Sequence, residues 1–437
     1  MNKTQLKKRK SIKIESYIDE YKDLVSFGSN KYQAFHRWYP FVEGYGSEFV
    51  RRIIGEQAIF PKRCLDPFGG VGTTILTCQE LEIECHSVEP NPFLVEVAKT
   101  KLDRNYSSKK FKGIVNRIEK HLLTCTQAVE LPNLESKTFF ESEERKKWIF
   151  DREVAYAIVD ILNYINKRKY NLKEHYHLLK LALASILLGV SNVYRNGKCL
   201  SYKRDWQKIS ITRKEVHQKF LSICKQVFLV DLVSKQNSKA TTENRANFRH
   251  GDSRNELALY ENDYFDIVIT SPPYLNSRDY TDIYRLELWL LGHISMYKKE
   301  QGLRKSALTS HVQITLPETT YPDVEQLNEY IEYITNPDND VRLWNRNIPN
   351  MIKGYFQDMK GILEQLYLKL KKGGKVYLNV SNSAYGGKVC VVDEILAEIA
   401  KKEGFTVDEI RIARYIGSSA QQKLERKMRE SVIVLTK

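Results

Sequence analysis

Cys64-Leu-Asp-Pro-Phe-Gly-Gly-Val-Gly-Thr-Thr74 is a short apolar strand that runs into a glycine-rich corner and then opens a helix. Leu65 ends the strand and Asp66 stands at its tip. Gly69, Gly70 and Gly72 let the backbone come close to a ligand before Thr73 starts the helix. Strand, tight turn and helix in that order are the building unit of a parallel α/β sheet. The turn does not match the dinucleotide fingerprint, and no Lys-Ser/Thr pair follows the glycines as a Walker phosphate loop requires. Downstream, Glu84-Cys-His-Ser-Val-Glu-Pro-Asn-Pro92 reads as a second strand ending in an acid, Glu89. In Rossmann-type folds an acid at that place accepts hydrogen bonds from ribose hydroxyls.

A third element completes the pattern. Phe265-Asp-Ile-Val-Ile-Thr-Ser-Pro-Pro-Tyr274 reads as a buried parallel strand, with Ile267, Val268 and Ile269 as its apolar run. It stops at a rigid corner, because two successive prolines fix φ twice and remove two backbone donors. The Ser271 hydroxyl, outward carbonyls and the Tyr274 ring suit a flat molecule that carries an amino group. Just before it, Phe248-Arg-His-Gly-Asp252 places a further acid at the tip of another strand.

Together these motifs resemble the amino-methylating DNA methyltransferases, which move a methyl group from S-adenosylmethionine to the exocyclic nitrogen of cytosine or adenine. Asp66-Pro-Phe-Gly-Gly-Val-Gly72 matches that family's cofactor loop, Glu89 its ribose acid, Asp252 its adenine-side acid, and Ser271-Pro-Pro-Tyr274 its catalytic signature. Phe35-His-Arg-Trp-Tyr-Pro-Phe41, with Glu48 to Ile54, is similar to its N-terminal cofactor-flanking segment. The resemblance covers about residues 30–105 and 246–437. It implies a Rossmann-like class I methyltransferase fold, α/β with a mostly parallel sheet. Lys371 to Asn379 would be the fifth strand, and Phe405 to Tyr415 with Ser431 to Thr436 the closing antiparallel hairpin. It implies cofactor contacts from Tyr39, Asp66, Phe68, Gly69, Gly70, Gly72, Thr73, Glu89 and Asp252. Catalysis would fall to Ser271, Pro272, Pro273 and Tyr274.

The chain departs from the pattern in the long gap between the second and third strands. Residues 24–105 and 246–437 read as the catalytic domain, 106–245 as a helical insertion and candidate target-recognition region, and 1–23 as a basic tail. Within the insertion, Val154, Ile158, Ile161, Leu162 and Ile165 recur at helical spacing. Leu172, Tyr176, Leu179, Leu183 and Leu187 do likewise, as do Val216, Phe220, Ile223, Val227 and Val230. Between these stripes, Tyr194 to Trp206 interleaves basic and aromatic residues around an Asn196-Gly197 turn, with Lys208, Arg213 and Lys214 following. Arg195, Lys198, Lys203 and Arg204 are its candidate nucleic-acid contacts, joined by Arg278, Arg304 and Lys305. Asp279 to Leu291 reads as one helix capped by Asp279, beside candidate base-pocket residues Asn276 and Arg278. Lys298 to His311 reads as a flexible basic loop near DNA.

Lys plus Arg number 69 against 54 acids, a net charge of +15, which favours a polyanionic partner through counterion release. Double-stranded DNA is the expected partner, and a cognate restriction endonuclease or other defence proteins are candidates. The longest apolar segment, Leu178 to Val190, is interrupted by Lys180 and too short to span a bilayer. The expectation is a cytoplasmic protein associated with DNA. The seven cysteines lack any Cys-x-x-Cys pair, so spacing implies neither a disulfide framework nor a metal site. None follows a proline, unlike the nucleophile of cytosine carbon-5 methylation.

An exocyclic amine is a poor nucleophile because its lone pair is delocalised into the ring. Acceptors at the Ser271 hydroxyl and the Pro272 carbonyl would draw its protons toward a tetrahedral geometry, with Tyr274 stacked on a flipped-out base. In family usage, Ser at the first signature position leans toward cytosine N4, with adenine N6 as the alternative. RNA and protein amides are more remote substrates.

Overall fold

The computed structural model describes residues 12–41, 44–196, 199–235, 245–275, 279–313, 319–339, 341–417, 424 and 426–437. Its strands in chain order begin with β1 (Ile14–Ser16), β2 (Arg63–Asp66), β3 (Glu84–Glu89), β4 (Val193–Asn196) and β5 (Cys199–Tyr202). They continue with β6 (Ala246–His250), β7 (Phe265–Thr270), β8 (Leu370–Ser381), β9 (Ser383–Tyr385), β10 (Lys388–Cys390), β11 (Thr406–Ile416) and β12 (Met428–Thr436). Eight of them form one sheet in the order β1-β11-β12-β8-β7-β2-β3-β6. Only β12 runs antiparallel, to β8 on one side and β11 on the other. This is a mostly parallel, Rossmann-like α/β sheet closed by an antiparallel hairpin.

Strand composition explains the depth of each strand. Ile267, Val268 and Ile269 are at most 1% exposed, as expected for a central parallel strand covered on both faces. From β2 the chain steps outward to β3 and β6, and from β7 the other way to β8. The order therefore reverses between β2 and β7, which are paired at Cys64↔Ile267 and Leu65↔Val268. Crevices for ligands open at the carboxyl ends of the strands at such a reversal. Asp66 ends β2 and Ser271 follows β7, so both stand at that point.

The helical stripes pack as cores, with two corrections. Val154, Ile158, Ile161, Leu162 and Ile165 are buried along helix Arg152–Lys167. The second stripe is divided, because the chain breaks at Lys173 (φ 50°) between helices Lys169–Leu172 and His175–Val190. In the third, a π-turn at Cys224–Phe228 slips the phase. The buried series becomes Val216, Phe220, Cys224, Phe228 and Leu232, while Val230 is 49% exposed. An α-helix cannot keep strict four-residue spacing on one face, and the wider π-turn absorbs the mismatch.

Three further expectations change. Residues 14–21 are not tail: β1 pairs in parallel with β11 and is followed by helix Ile18–Tyr21. Asp279 to Leu291 is not one helix. It breaks at Tyr284 into Tyr280–Ile283 and Arg285–Leu290, although Asp279 caps it as expected by accepting from the Thr281 backbone N–H. The basic stretch from Lys298 is helical over Tyr297–Ser306, held by Arg304 to Asp279 and to Glu300.

The insertion docks onto the N-terminal segment through buried polar chemistry. The Asp231 carboxylate, in helix Leu229–Lys235, accepts from the Phe35 backbone N–H, the Arg37 guanidinium and Trp38 Nε1. Trp38 stacks on Phe228 with ring centroids 4.8 Å apart. On the other side, Lys101 Nζ donates to the carbonyls of His36 and Tyr39, and burial pulls its pKa down to about 7. The segment Phe35 to Tyr39, which begins at Phe35 with φ 66°, is thus clamped from both faces.

Candidate active site

The loop after β2 closes on itself before it meets any ligand. Asp66 is 2% exposed, and its Oδ1 accepts from Thr270 Oγ1 at 2.7 Å and from the Phe68 N–H at 3.1 Å. The first of these bonds ties the tips of β2 and β7 together across the switch point. Burial pushes the Asp66 carboxyl up to about 6, against the opposing pull of those donors. Gly72 sits at φ 81°, where an added Cβ would lie 3.0 Å from that of Ala98, so the turn into helix Thr73–Glu80 needs glycine there.

Glu89 ends β3 and faces the same crevice. Its Oε2 accepts from the Gly70 N–H at 3.0 Å and its Oε1 from the Asn91 N–H at 2.9 Å. The acid therefore shapes the glycine loop directly. Burial pushes its pKa up to about 7, with those two backbone donors pulling the other way. A carboxylate offers about four acceptor positions, so two remain for hydroxyl donors from the crevice.

These residues line one cavity at the switch point. Asp66, Phe68, Gly69, Gly70, Thr73, Glu89, Asp252, Ser271 and Pro273 all reach it. Tyr39, Gly72, Pro272 and Tyr274 do not line it. Tyr39 is instead a core residue, 1% exposed, whose hydroxyl donates to Glu287 at 2.6 Å. Asp252 caps helix Ser253–Glu256 and is gripped by Arg254, which also bonds Asp358 and the Lys305 carbonyl.

Sequence reading missed part of the wall. Phe41, Tyr45 and Tyr280 supply aromatic faces, and Leu303, Ser306, Ala307 and Leu308 close one side. The rings of Phe41, Tyr280 and Tyr284 lie nearly parallel in pairs, with centroids 6.2–6.4 Å apart. Phe41 lay within a motif already singled out. Residues 303–308 read only as part of a basic loop near DNA, because their place in the wall depends on how helix Tyr297–Ser306 folds back over the crevice.

Tyr274 points its hydroxyl inward. It donates to Glu430 Oε1 at 2.6 Å and accepts from Asn379 Nδ2 at 2.8 Å and Ser271 Oγ at 3.3 Å.

Of the five candidate nucleic-acid contacts among the described residues, three are otherwise engaged. Arg195, on β4, is a correction: its side chain is 8% exposed and donates to Glu287, the Tyr39 hydroxyl and the Ile283 carbonyl. Lys203 is half-buried on the Ser191 carbonyl, and Arg304 is spent on Asp279, Thr281 and Glu300. Arg213 is likewise interior, paired with Asp160 at 2.7 Å. Lys198, Asn276 and Arg278 lie outside the described residues. Arg204, 97% exposed, and Lys305 keep outward side chains.

The scatter of cysteines along the chain conceals one grouping. Cys64, Cys78 and Cys85 are buried with their sulfurs within 4.8 Å of one another beneath the loop, a cluster that linear spacing does not announce. No helix among the described residues is long and apolar enough to cross a membrane.

No family model matches the chain. Curated relatives do. It is 26% identical over 423 residues to type II methyltransferase M.AvaI of Nostoc sp. and of Anabaena variabilis, covering 91% of this chain and 85% of theirs. It is 27% identical over 450 residues to type II methyltransferase M.BsoBI of Geobacillus stearothermophilus, covering 91% and 84%. Among solved structures, the rRNA methyltransferase aviRa from Streptomyces viridochromogenes aligns at a TM-score of 0.28 and 11% identity, over 89% of this chain and 83% of that one. Over nine-tenths of its length the chain is similar to these type II methyltransferases, and S-adenosylmethionine is the methyl donor expected of such enzymes.

Proposed function

We propose that the protein is a site-specific DNA methyltransferase that transfers a methyl group to the exocyclic N4 of a cytosine flipped out of the duplex. The observation that carries this reading is the convergence of Asp66, the glycine loop, Glu89, Ser271 and Pro273 on one cavity. S-adenosylmethionine, when bound, supplies an electrophilic methyl on a sulfonium. Glu89 has acceptor capacity for ribose hydroxyls, and the backbone around Gly69 and Gly70 admits close approach. Ser271 accepts a hydrogen bond from the target amine, so that the nitrogen lone pair is free to attack the methyl in line; the sulfonium sulfur leaves as the neutral thioether, and the methylated, cationic amine then loses its proton to solvent. No strong base is needed at the nitrogen before transfer.

The names of the relatives support DNA as substrate and a restriction-modification role, with a cognate endonuclease as candidate partner. The test is nucleoside mass spectrometry of duplex DNA after incubation with tritiated S-adenosylmethionine. N4-methylcytosine is expected. N6-methyladenine would move the reading to the adenine enzymes, and label in RNA or protein alone would refute it.

Glu89 makes cofactor binding depend on pH. Its free-protein pKa stands at about 7, and only the ionised form accepts two hydroxyl donors. Affinity for S-adenosylmethionine is therefore expected to rise as pH climbs from 6 to 8, by about tenfold at most per unit below the pKa. Calorimetry should show this slope in the wild type and a shallower profile in Glu89→Gln, the remainder below pH 7 coming from Asp66.

On the DNA side, Arg204 and Lys305 are the expected phosphate contacts. Alanine at either should lower the slope of log affinity against log salt by about 0.9 and leave sequence preference unchanged. Fluorescence anisotropy on cognate and scrambled duplexes measures both. Unaltered slopes in both variants would remove these residues from the interface.

A further inference from the structure

The hydroxyl of Tyr274 is the middle of a hydrogen-bonded chain whose direction is set from inside the sheet. Glu430, on β12, is 1% exposed, with Arg414 of β11 donating to its Oε2 from Nε at 2.6 Å. A carboxylate paired with a guanidinium accepts hydrogen bonds and has none to give. The Tyr274 phenol must then spend its one proton on Glu430 Oε1, 2.6 Å away. Its oxygen retains two lone pairs. Asn379 Nδ2, on β8, fills one at 2.8 Å while also donating to Glu430 at 2.9 Å. Ser271 Oγ donates into the other at 3.3 Å. The serine proton is thereby committed inward, and only acceptor lone pairs remain on the cavity side.

The geometry points to Glu430 as a positioning residue that makes Ser271 an acceptor toward the substrate amine. This rests on the assignment of Ser271 made under the proposed function. An amine about to be methylated presents protons, so a serine that donated outward would compete for the nitrogen lone pair needed for attack. The chain Glu430–Tyr274–Ser271 removes that option. It also gives Tyr274 a role distinct from stacking, since its hydroxyl is turned away from the cavity and toward β8 and β12.

The test is steady-state kinetics on duplex DNA for Glu430→Gln, Tyr274→Phe, the double variant and Ser271→Ala. Tyr274→Phe keeps the ring and breaks only the chain, so it serves even if Glu430→Gln folds poorly. Glu430→Gln and Tyr274→Phe should each lower kcat about 10- to 100-fold, the loss of one charge-assisted hydrogen bond, with KM for DNA and cofactor near wild type. The double variant should be no slower than the slower single, because both cut the same chain. Wild-type kcat in Tyr274→Phe, additive losses in the double, or losses confined to KM or thermal stability would each overturn the relay. Ser271→Ala separates the two levels of inference. If it is inactive while Tyr274→Phe is fully active, the relay falls and the site stands; if it is itself fully active, the catalytic corner was misassigned.

Discussion

Ser271→Ala is expected to lower kcat on duplex DNA by about 10²–10³, with S-adenosylmethionine affinity unchanged. The magnitude is that of removing one preorganised polar partner from a developing charge, about 3–4 kcal/mol. Its direction follows from where Ser271 sits. The residue lines the cavity just past the tip of β7, while the cofactor-side carboxylates Asp66 and Glu89 belong to β2 and β3. Removing one hydroxyl leaves the Thr270–Asp66 bond intact, so the switch point keeps its shape. Calorimetry of cofactor binding alongside single-turnover transfer reads the two effects separately. A variant that loses cofactor affinity in step with turnover would show that Ser271 supports the cofactor loop.

Glu287→Ala is expected to destabilise the fold by about 3–5 kcal/mol, the cost of leaving a buried charge without its partner. Glu287 is 1% exposed in helix Arg285–Leu290, 3.0 Å from Arg195 and 2.6 Å from the Tyr39 hydroxyl. This triad binds the β4–β5 hairpin of the insertion to the helix after the Pro-Pro corner and to the N-terminal segment around Tyr39. Arg195 is held charged by those neighbours, its pKa raised further above the ordinary guanidinium range despite burial. Without Glu287 it must either drag water into the core or pull β4 away. Chemical denaturation should show the loss, and Glu287→Gln, which keeps a hydrogen-bond acceptor, should show less. A surface residue would cost no more than about 0.5 kcal/mol, so a small effect would return Arg195 to the pool of DNA contacts.

The catalytic sheet was legible because its signals are local. Asp66 at a strand tip, glycines before a helix and two prolines after an apolar run each constrain the backbone within a few residues of themselves. Strand and helix periodicity then place them in layers. The helical insertion was legible in the same way up to the point where phase matters. A π-turn at Cys224–Phe228 and a left-handed residue at Lys173 are each favoured by what packs against them, so the periodicity predicted the stripes and missed their breaks.

The fate of charged side chains was not legible. Arg195 and Arg204 are nine residues apart in one basic-aromatic stretch, and composition treats them alike. One points into a cage of Glu287, Tyr39 and Ile283, and the other into solvent. The partners that decide this come from residues 39 and 283–287, far away in sequence. Glu430 is a similar case, an acid near the chain's end that meets Tyr274 only because β12 inserts between β8 and β11. The sequence by itself therefore determined the sheet, the glycine-rich corner after β2 and the Pro-Pro corner after β7, whose causes lie in neighbouring residues. Tertiary structure decided which cations remain free, what walls the cavity and what orients Tyr274, because burial and pairing depend on elements that only folding brings together.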